Sequence, residues 1–300
     1  TRMAVRRSPP GPRFALPGDG AAAPDWCVGR FRVAFAKSAD PAVGVFRRAD
    51  GPWHDVEGTF LTTLGDYRFL AGNADGARLL LSCFDGAHAF LFRAERADDG
   101  TVRGAFWSSD TWHEQWTAVR DDDAALPDGW NATRWREGRA LGDARFVDLD
   151  GRPRPLVDDG LAGTVRVVEV FGTWCPNCHD HGAYLAGLHR RYAERGLRVV
   201  GLAFEHEGDL ARSARQVRRF AERHGADYAI WIGGSADKAG ASEQLGLLDR
   251  VRAFPTTLFV DREGRVRGVY QGWSGPATGD AHARLCERFE ELVETLLAER

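Results

Sequence analysis

The chain has 300 residues, of which 43% are hydrophobic and 28% charged, and its formal net charge is −3. These values are ordinary for a soluble globular chain long enough for two domains. The small negative charge gives no reason to expect a nucleic acid or an anionic membrane as a partner. No stretch approaches the roughly 18 apolar residues of a membrane span.

Residues 1–24 are predicted to be a disordered lead-in because they contain five of the 13 prolines. They lack the apolar segment of a signal peptide, so no export signal is visible. The only methionine is Met3, which follows Thr1 and Arg2. The N-terminus therefore says little about the compartment in which the protein works.

Residues 25–120 are predicted to form a β-rich domain of mostly antiparallel strands, either a sandwich or a partial barrel. Short β-like runs alternate there with turn signals such as Asp85-Gly86. Residues 121–143 are predicted to be a linker. The predicted strands are Val28–Phe35, Ala42–Arg47, Gly58–Leu61, Tyr67–Leu70, Leu79–Phe84, Ala87–Glu95, Val102–Trp107 and Trp112–Arg120.

Residues 144–300 are predicted to form a second, α/β domain, because strand-like and helix-like runs alternate after a hairpin at Asp150-Gly151. An antiparallel hairpin is expected on one edge of its sheet. The predicted strands are 165–171, 198–204, 228–232, 257–260 and 266–270, and the predicted helices are 175–195, 209–224, 236–248 and 279–300.

The most informative motif is Cys175-Pro176-Asn177-Cys178, which stands where the strand 165–171 gives way to a helix. The first turn of a helix has unpaired N–H groups and a partial positive charge, which stabilise a thiolate. Residues three apart lie on one face of a helix. The two cysteines can therefore alternate between dithiol and disulfide. Pro176 suits the first helical position, where its missing N–H costs nothing.

Three further features accompany the motif. Glu169 lies six residues before Cys175 in an apolar strand, Phe254-Pro255-Thr256-Thr257 opens a later strand, and Gly272 follows the next one. This layout resembles the thioredoxin superfamily. The extra strand and helix before Pro255 make it similar to the TlpA/ResA-like branch of extracytoplasmic thioredoxin-like reductases. The resemblance covers residues 144–300 and implies a thioredoxin-like fold, a central mixed sheet flanked by helices with the TlpA-type insert.

The resemblance also implies roles for individual residues. Cys175 is expected to be the partly exposed attacking thiolate, and Cys178 the thiol that resolves the mixed disulfide. Glu169 is expected to lie buried below Cys178 and to help move its proton, since burial raises the pKa of a carboxyl group. Pro255 is expected to follow a cis peptide bond opposite the motif. The residues expected to bind the substrate are Trp174, Pro176, Phe254 and Thr256.

Three other interpretations of the two cysteines stay open. They can be structural, or they can belong to the C-x-x-C-H motif that attaches c-type haem and ends here at His179. Haem lacks a good distal ligand, because Met3 lies in the lead-in. Zinc bound by both cysteines, His179 and His181 would need four ligands from one short stretch of helix to surround the ion.

The remaining cysteines and one acid receive simpler interpretations. The five cysteines are an odd number, so at least one thiol is unpaired in a monomer. Cys286 is predicted to be a core thiol of the last helix. Nothing in the sequence decides whether Cys27 and Cys83 pair. Glu205 ends a strand near the edge where α/β sites lie. It can add charge near the site, but a solvated loop acid is the favoured interpretation.

The leading functional hypothesis is a thiol–disulfide oxidoreductase that reduces protein disulfides without a metal or any cofactor beyond the Cys175–Cys178 disulfide. Its partners would be a disulfide-containing protein substrate and an upstream thiol electron donor. The family resemblance suggests the bacterial periplasm or cell envelope, with the cytoplasm as the alternative. A thiol peroxidase is a second hypothesis, although Gly172 and Val168 replace the threonine and proline of the peroxiredoxin pattern. The third is a non-enzymatic protein whose β domain binds a partner.

Overall fold

The computed structural model describes residues 13–14, 16, 22–50, 53–85, 88–157, 160–206 and 209–299. The chain divides into two compact units, Thr1–Leu126 (unit 1) and Pro127–Arg300 (unit 2). The predicted disordered lead-in, 1–24, falls mostly outside the described residues. Within the described ranges, no helix combines the length and the apolar character needed to cross a membrane.

Unit 1 is a closed antiparallel β-barrel. Its sheet has the order β2-β1-β9-β8-β7-β6-β5-β3-β4, and β2 also pairs with β3, which closes the ring and leaves the short β4 outside it. Of the two architectures predicted for this region, the barrel is therefore the one that forms. The strands are β1 (Gly29–Phe35), β2 (Ala42–Arg48), β3 (Val56–Thr62), β4 (Gly65–Asp66), β5 (Leu70–Ala74), β6 (Arg78–Phe84), β7 (Ala89–Arg96), β8 (Val102–Ser108) and β9 (Trp112–Arg120).

The barrel interior is filled by aromatic side chains. Alternate residues of β1 and β9 are buried and exposed, so each strand directs one set of side chains into the barrel. The Phe92 ring stacks on Phe60 at 4.5 Å and on Phe106 at 4.4 Å. The Phe60 ring also contacts Trp116 at 5.0 Å. These stacked and edge-on rings make a packed core.

In unit 1, the structure corrects one predicted strand and shows whether two of the cysteines are paired. The predicted strand Tyr67–Leu70 is wrong except at Leu70, where β5 begins, because Arg68 adopts a left-handed φ of 63°. Cys27 and Cys83 are separate free thiols. The Cys27 thiol donates to the Pro24 carbonyl oxygen at 3.2 Å, and burial raises its pKa to about 12.

Unit 2 contains a seven-stranded mixed sheet in the order β11-β10-β14-β13-β12-β15-β16. Its central strand β12 is parallel to β13 and antiparallel to β15. The predicted α/β, thioredoxin-like fold is confirmed. The strands are β10 (Arg145–Val147), β11 (Pro153–Pro155), β12 (Val165–Phe171), β13 (Leu197–Glu205), β14 (Ala229–Ser235), β15 (Thr256–Val260) and β16 (Val266–Gln271), and the helices are α1 (Pro176–Tyr192), α2 (Leu210–His224), α3 (Lys238–Leu245) and α4 (Asp280–Ala298).

Local sequence explains where the helices of unit 2 begin and end. The Asp209 side chain accepts a hydrogen bond from Ala211 N and caps the start of α2. Gly225 ends the same helix with a φ of 61°. The helix α3 is shorter than the predicted 236–248, because Gly246 ends it with a φ of 63°.

The predicted linker, 121–143, is packed against unit 2 over most of its length. Trp130 forms a β-bridge with Tyr270, and Trp135 forms one with Leu248. The Trp130 indole also contacts the Phe259 ring at 5.5 Å. Tryptophan side chains bury a large apolar surface, so the chain is held to unit 2 from Pro127 onward.

A pair of phenylalanine variants tests the aromatic core of the barrel. Phe92→Ala should lower the free energy of unfolding of unit 1 by about 3–5 kcal/mol, because it leaves a cavity among stacked rings. Phe84 lies in the same sheet but is 69% exposed, so Phe84→Ala should change it by less than about 0.5 kcal/mol. Urea denaturation followed by tryptophan fluorescence measures both. Equal losses in the two variants would contradict the described packing.

Candidate active site

A buried strand and a short turn place Cys175 at the start of a helix. All seven residues of β12 are buried, and the strand ends at Phe171. Gly172, Thr173 and Trp174 follow. Cys175 is the N-cap of α1 and Pro176 is its first residue, as the motif predicts. The Cys175 sulfur therefore lies beside the positive end of the helix dipole.

The Cys175 thiol contacts the segment that opens β15. Its Sγ donates to the Phe254 carbonyl oxygen at 3.3 Å, and the peptide bond between Phe254 and Pro255 is cis. The expectation of a partly exposed Cys175 is wrong for this form of the protein, because the residue is only 5% exposed. The Cys175 thiol is therefore both buried and hydrogen-bonded to the Phe254 carbonyl oxygen.

Cys178 lies one turn further into α1 and is completely buried. Both cysteines are free thiols. Burial is the main cause that raises the pKa of Cys178 well above its ordinary value, and the neighbouring Cys175 and the charge of Glu169 raise it further. Cys178 is therefore a protonated thiol at neutral pH, and it needs a base before it can act as a nucleophile.

Glu169 projects from β12 toward α1 and is also completely buried. Its Oε1 lies 2.7 Å from His181 Nδ1, and His181 is buried as well. In the sequence, His181 is apparent only as a candidate zinc ligand, and its contact with Glu169 is not predicted. The spacing of His181 and Cys178 indicates that the two are neighbours, because residues three apart lie on the same face of a helix.

The turn before Cys175 is held in place by hydrogen bonds. Glu205 accepts from Thr173 N at 2.9 Å and from Thr173 Oγ1 at 2.7 Å. His179 Nε2 lies 3.0 Å from the Thr173 carbonyl oxygen, and His179 Nδ1 lies 2.7 Å from His224 Nε2. These contacts engage the backbone N–H, the hydroxyl and the carbonyl of Thr173.

The prediction that Glu205 is a solvated acid is wrong. In the parallel register, Phe171 of β12 lies opposite Ala203 of β13, so Glu205 continues past the end of β12 and lies beside Thr173. Its side chain is buried. Burial raises the pKa of Glu205, and the hydrogen bonds from Thr173 oppose that rise.

The expected substrate-binding residues lie in different environments. The half-buried Trp174 donates its indole N–H to the Phe204 carbonyl oxygen at 2.9 Å, and its ring lies 5.5 Å from Phe254 and 4.5 Å from His206. Thr256, by contrast, is completely buried. Its hydroxyl donates to the Ala253 carbonyl oxygen at 2.8 Å, so this side chain is not accessible to a substrate. Phe254 is buried as well.

The other candidate ligands and thiols do not join the site. Among the residues that the structure describes, no group of three or more histidines, cysteines and acids is arranged to hold a metal ion. Cys286 is half-buried on α4, 3.6 Å from His282 Nε2, and burial raises its pKa to about 11. It packs against the core of unit 2, as predicted for a core thiol.

Comparisons with known proteins agree with this geometry. The profile of the Redoxin family matches residues 136–283. The thiol-disulfide oxidoreductase ResA of Halalkalibacterium halodurans is 27% identical over 161 residues, which are 53% of this chain and 78% of that protein. The thiol:disulfide interchange protein DsbE of Allochromatium vinosum is 31% identical over 120 residues, 40% of this chain and 58% of that protein.

A crystal structure of a DsbE-like thiol:disulfide interchange protein from Chlorobium tepidum is 18% identical and has a TM-score of 0.42, covering 55% of this chain and all of that one. The sequence matches, together with the fold of unit 2, identify its redoxin region as a thioredoxin-like domain. This region is similar in sequence to the TlpA/ResA-like thiol–disulfide oxidoreductases.

The turn at Gly172 is tested by a glycine substitution. A Cβ atom at this position would lie 2.3 Å from Trp174 Nε1 and 2.9 Å from the Phe204 carbonyl oxygen. Gly172→Ala should therefore displace the indole, break its hydrogen bond and lower the free energy of unfolding by about 1–3 kcal/mol. Thermal and urea denaturation measure the loss.

Gly187 supplies the matched control for this substitution. It lies within α1, and a Cβ atom there would meet nothing within 4 Å. Gly187→Ala should raise the free energy of unfolding by up to about 1 kcal/mol, since alanine is the better helix former. If Gly172→Ala were as stable as Gly187→Ala, the close approach of Trp174 to the turn would be refuted.

Proposed function

We propose that Cys175 and Cys178 form a dithiol–disulfide couple that reduces disulfide bonds in protein substrates. The observation that carries this proposal is the placement of the two sulfurs. Cys175 caps α1 with its sulfur against the carbonyl group that precedes Pro255, and Cys178 is buried one turn behind it. One thiol thus borders the surface where a substrate can dock, while the other is kept from it.

The reaction begins when the Cys175 thiolate attacks one sulfur of the substrate disulfide. This forms a mixed disulfide and releases the other substrate sulfur as a thiolate. Cys178 then attacks Cys175, closes the Cys175–Cys178 disulfide and releases the second substrate sulfur. An electron pair has moved from the two cysteines to the substrate. A thiol donor then reduces the Cys175–Cys178 disulfide, so the cycle requires no cofactor beyond this disulfide.

The residues around Cys175 favour an extended, partly apolar substrate segment. The Phe254 carbonyl, which accepts from the Cys175 thiol in the free protein, becomes available to a substrate backbone N–H once Cys175 is ionised or bonded. The rings of Trp174 and Phe254 lie 5.5 Å apart beside it. The half-buried Trp174 ring provides an apolar contact for a substrate segment.

The buried carboxylate of Glu169 supplies the base that the second step needs. Cys178 cannot lose its proton to water, because it is completely buried. Glu169 is buried in the same region, and its charge acts on Cys178. It therefore takes the Cys178 proton as the sulfur attacks.

The peroxidase hypothesis is disfavoured by the shape of the turn. A peroxiredoxin-like threonine hydroxyl would have to stand at position 172, where even a Cβ atom would collide with Trp174. The location that we propose, the bacterial periplasm or cell envelope, is supported by the similarity to the TlpA/ResA-like reductases. An upstream thiol protein at that location would be the electron donor.

A trapping experiment tests the cycle. Cys178→Ser should accumulate a covalent adduct with insulin, a disulfide-containing model protein, because attack by Cys175 proceeds and resolution does not. Cys175→Ser should form no adduct and should reduce insulin no faster than the uncatalysed reaction. Non-reducing gels and intact mass measure the adduct. Absence of an adduct with Cys178→Ser, in the presence of folded protein, would contradict the proposed cycle.

The reduction potential of the couple tests its direction. A reductase should have a potential near the roughly −270 mV of thioredoxin, whereas an oxidase should approach the roughly −120 mV of a strong dithiol oxidant. Equilibration with glutathione or dithiothreitol buffers, read out by the fraction of Cys175–Cys178 disulfide, measures it. A value near the oxidant would reverse the proposed direction and leave the cycle itself intact.

A further inference from the structure

A buried histidine bridges two strands below Cys178. Glu169 of β12 and Thr257 of β15 lie directly opposite each other in the antiparallel register, so their side chains stand on the same face of the sheet. His181 comes down from α1 between them. Its Nδ1 lies 2.7 Å from Glu169 Oε1 and its Nε2 lies 3.3 Å from Thr257 Oγ1. All three residues are completely buried.

The chemistry of the three groups fixes where the protons lie. An ionised carboxylate can only accept hydrogen bonds, so when Glu169 is charged the ring proton of His181 must be on Nδ1. His181 Nε2 is then an acceptor, and the Thr257 hydroxyl donates to it. Among the residues that the structure describes, Glu169 Oε2 has no hydrogen-bond partner. One carboxylate oxygen is thus held by His181, and the other is available to a further proton.

The groups that face this arrangement come from several elements. Cys178 lies on the same helix. Tyr228 precedes β14, and burial raises its pKa well above its ordinary value, with the charge of Glu169 and the closeness of that carboxylate to the Tyr228 hydroxyl adding to the rise. The ring of Trp273, which follows β16, lies 4.6 Å from His181, and that of Phe289 on α4 lies 6.2 Å away. The Glu169 and His181 side chains are therefore surrounded by two aromatic rings, a protonated thiol and a protonated tyrosine hydroxyl.

We propose that His181 is the positioning residue for Glu169, and that the two side chains act as one proton store for Cys178. This inference rests on the proposed dithiol cycle. His181 holds Oε1 so that Oε2 is left to accept the proton from Cys178 Sγ. The resulting thiolate bonds to Cys175 Sγ, the bond from Cys175 to the substrate sulfur breaks, and the substrate leaves as a thiolate that takes a proton from water.

The physical advantage is that the transfer moves a buried negative charge and creates none. Before the transfer the charge is on the carboxylate, and afterwards it is on the Cys178 sulfur. Separating a new pair of charges in the same place would carry the full desolvation cost. When the disulfide is reduced again, Glu169 returns the proton to Cys178. Glu169 must therefore be charged and the His181 imidazole neutral when the transfer begins.

A two-step reaction with Ellman's reagent, an aromatic disulfide that releases a coloured thiolate, separates this inference from the proposed function. Reduced protein should release one equivalent as Cys175 attacks and a second as Cys178 resolves the adduct. The experiment uses the full chain with Cys27, Cys83 and Cys286 replaced by alanine, so that only the motif reacts. The rate of the second step is followed against pH.

Two substitutions of His181 should act in opposite directions on that profile. His181→Asn keeps a donor near the Nδ1 position but removes one of the two protonation sites. The fall in rate at low pH should therefore move to lower pH by about one unit. His181→Leu removes the donor, and a buried carboxyl group without a partner keeps its proton. Its second step should be slower at neutral pH by about 100-fold, and the fall should move to higher pH.

The controls make each outcome decisive. His189→Asn, the same substitution at a half-buried histidine about two turns further along α1, should leave the profile unchanged. The first equivalent of coloured thiolate should be released equally fast in all these variants. If no first equivalent were released, the proposed cycle itself would be overturned. A normal first release with a second-step profile in His181→Asn that superimposes on the parent profile would overturn only the role of His181. Should His181→Leu not fold, His181→Asn decides the question alone.

Discussion

The structure of unit 2 depends on the burial of β12. Every residue of this strand is buried, with β13 hydrogen-bonded on one side and β15 on the other. A strand in this position has no freedom to slide, because a shift by one residue would reverse the face of every side chain. Glu169 is consequently fixed toward α1, and the chain leaves the sheet at Phe171 with only three residues before Cys175, the N-cap of the helix.

Those three residues explain why so many polar groups gather around a short turn. The turn must present its backbone to neighbours that are not part of a regular ladder, and buried backbone groups need partners. Glu205 and His179 supply them for Thr173. Trp174 uses its indole N–H in the same way on Phe204. The position of Cys175 thus results from specific contacts of its neighbours, in addition to the preference of proline for the first helical turn.

The fold of unit 2 and the two cysteines could be predicted because local signals and global arrangement agree. The apolar run 165–171, the C-x-x-C spacing and Pro255 each indicate the same layout. The β domain was less well defined, since alternation identifies strands but not whether the sheet closes. Closure depends on the pairing of β2 with β3, which no local pattern contains. Tyr67 is an example: it is an aromatic residue in a β-like run, and its ring packs against the barrel core although its backbone lies outside the strands.

The polar partners within the site were the least predictable part. Glu205 was interpreted as a solvated acid because it ends a strand, yet the register of β12 against β13 carries it beside Thr173. The His181–Glu169 contact joins residues on a helix and a strand, and Thr257 comes from far along the chain. Sequence spacing indicates that His181 shares a face with Cys178, but only the crossing of α1 over the sheet decides which strand residue it meets.

The two buried acids of the site illustrate how similar side chains on adjacent strands acquire different uses. Both oxygens of Glu205 accept hydrogen bonds from Thr173, so this carboxylate is committed to holding the turn. Only one oxygen of Glu169 has a partner among the described residues. Burial raises the pKa of Glu205 although each of these hydrogen bonds favours its charged form. The oxygen of Glu169 that has no hydrogen bond is the one that we propose accepts the proton of Cys178. The arrangement of donors around each carboxylate therefore distinguishes the acid that holds the turn from the acid that we propose moves a proton.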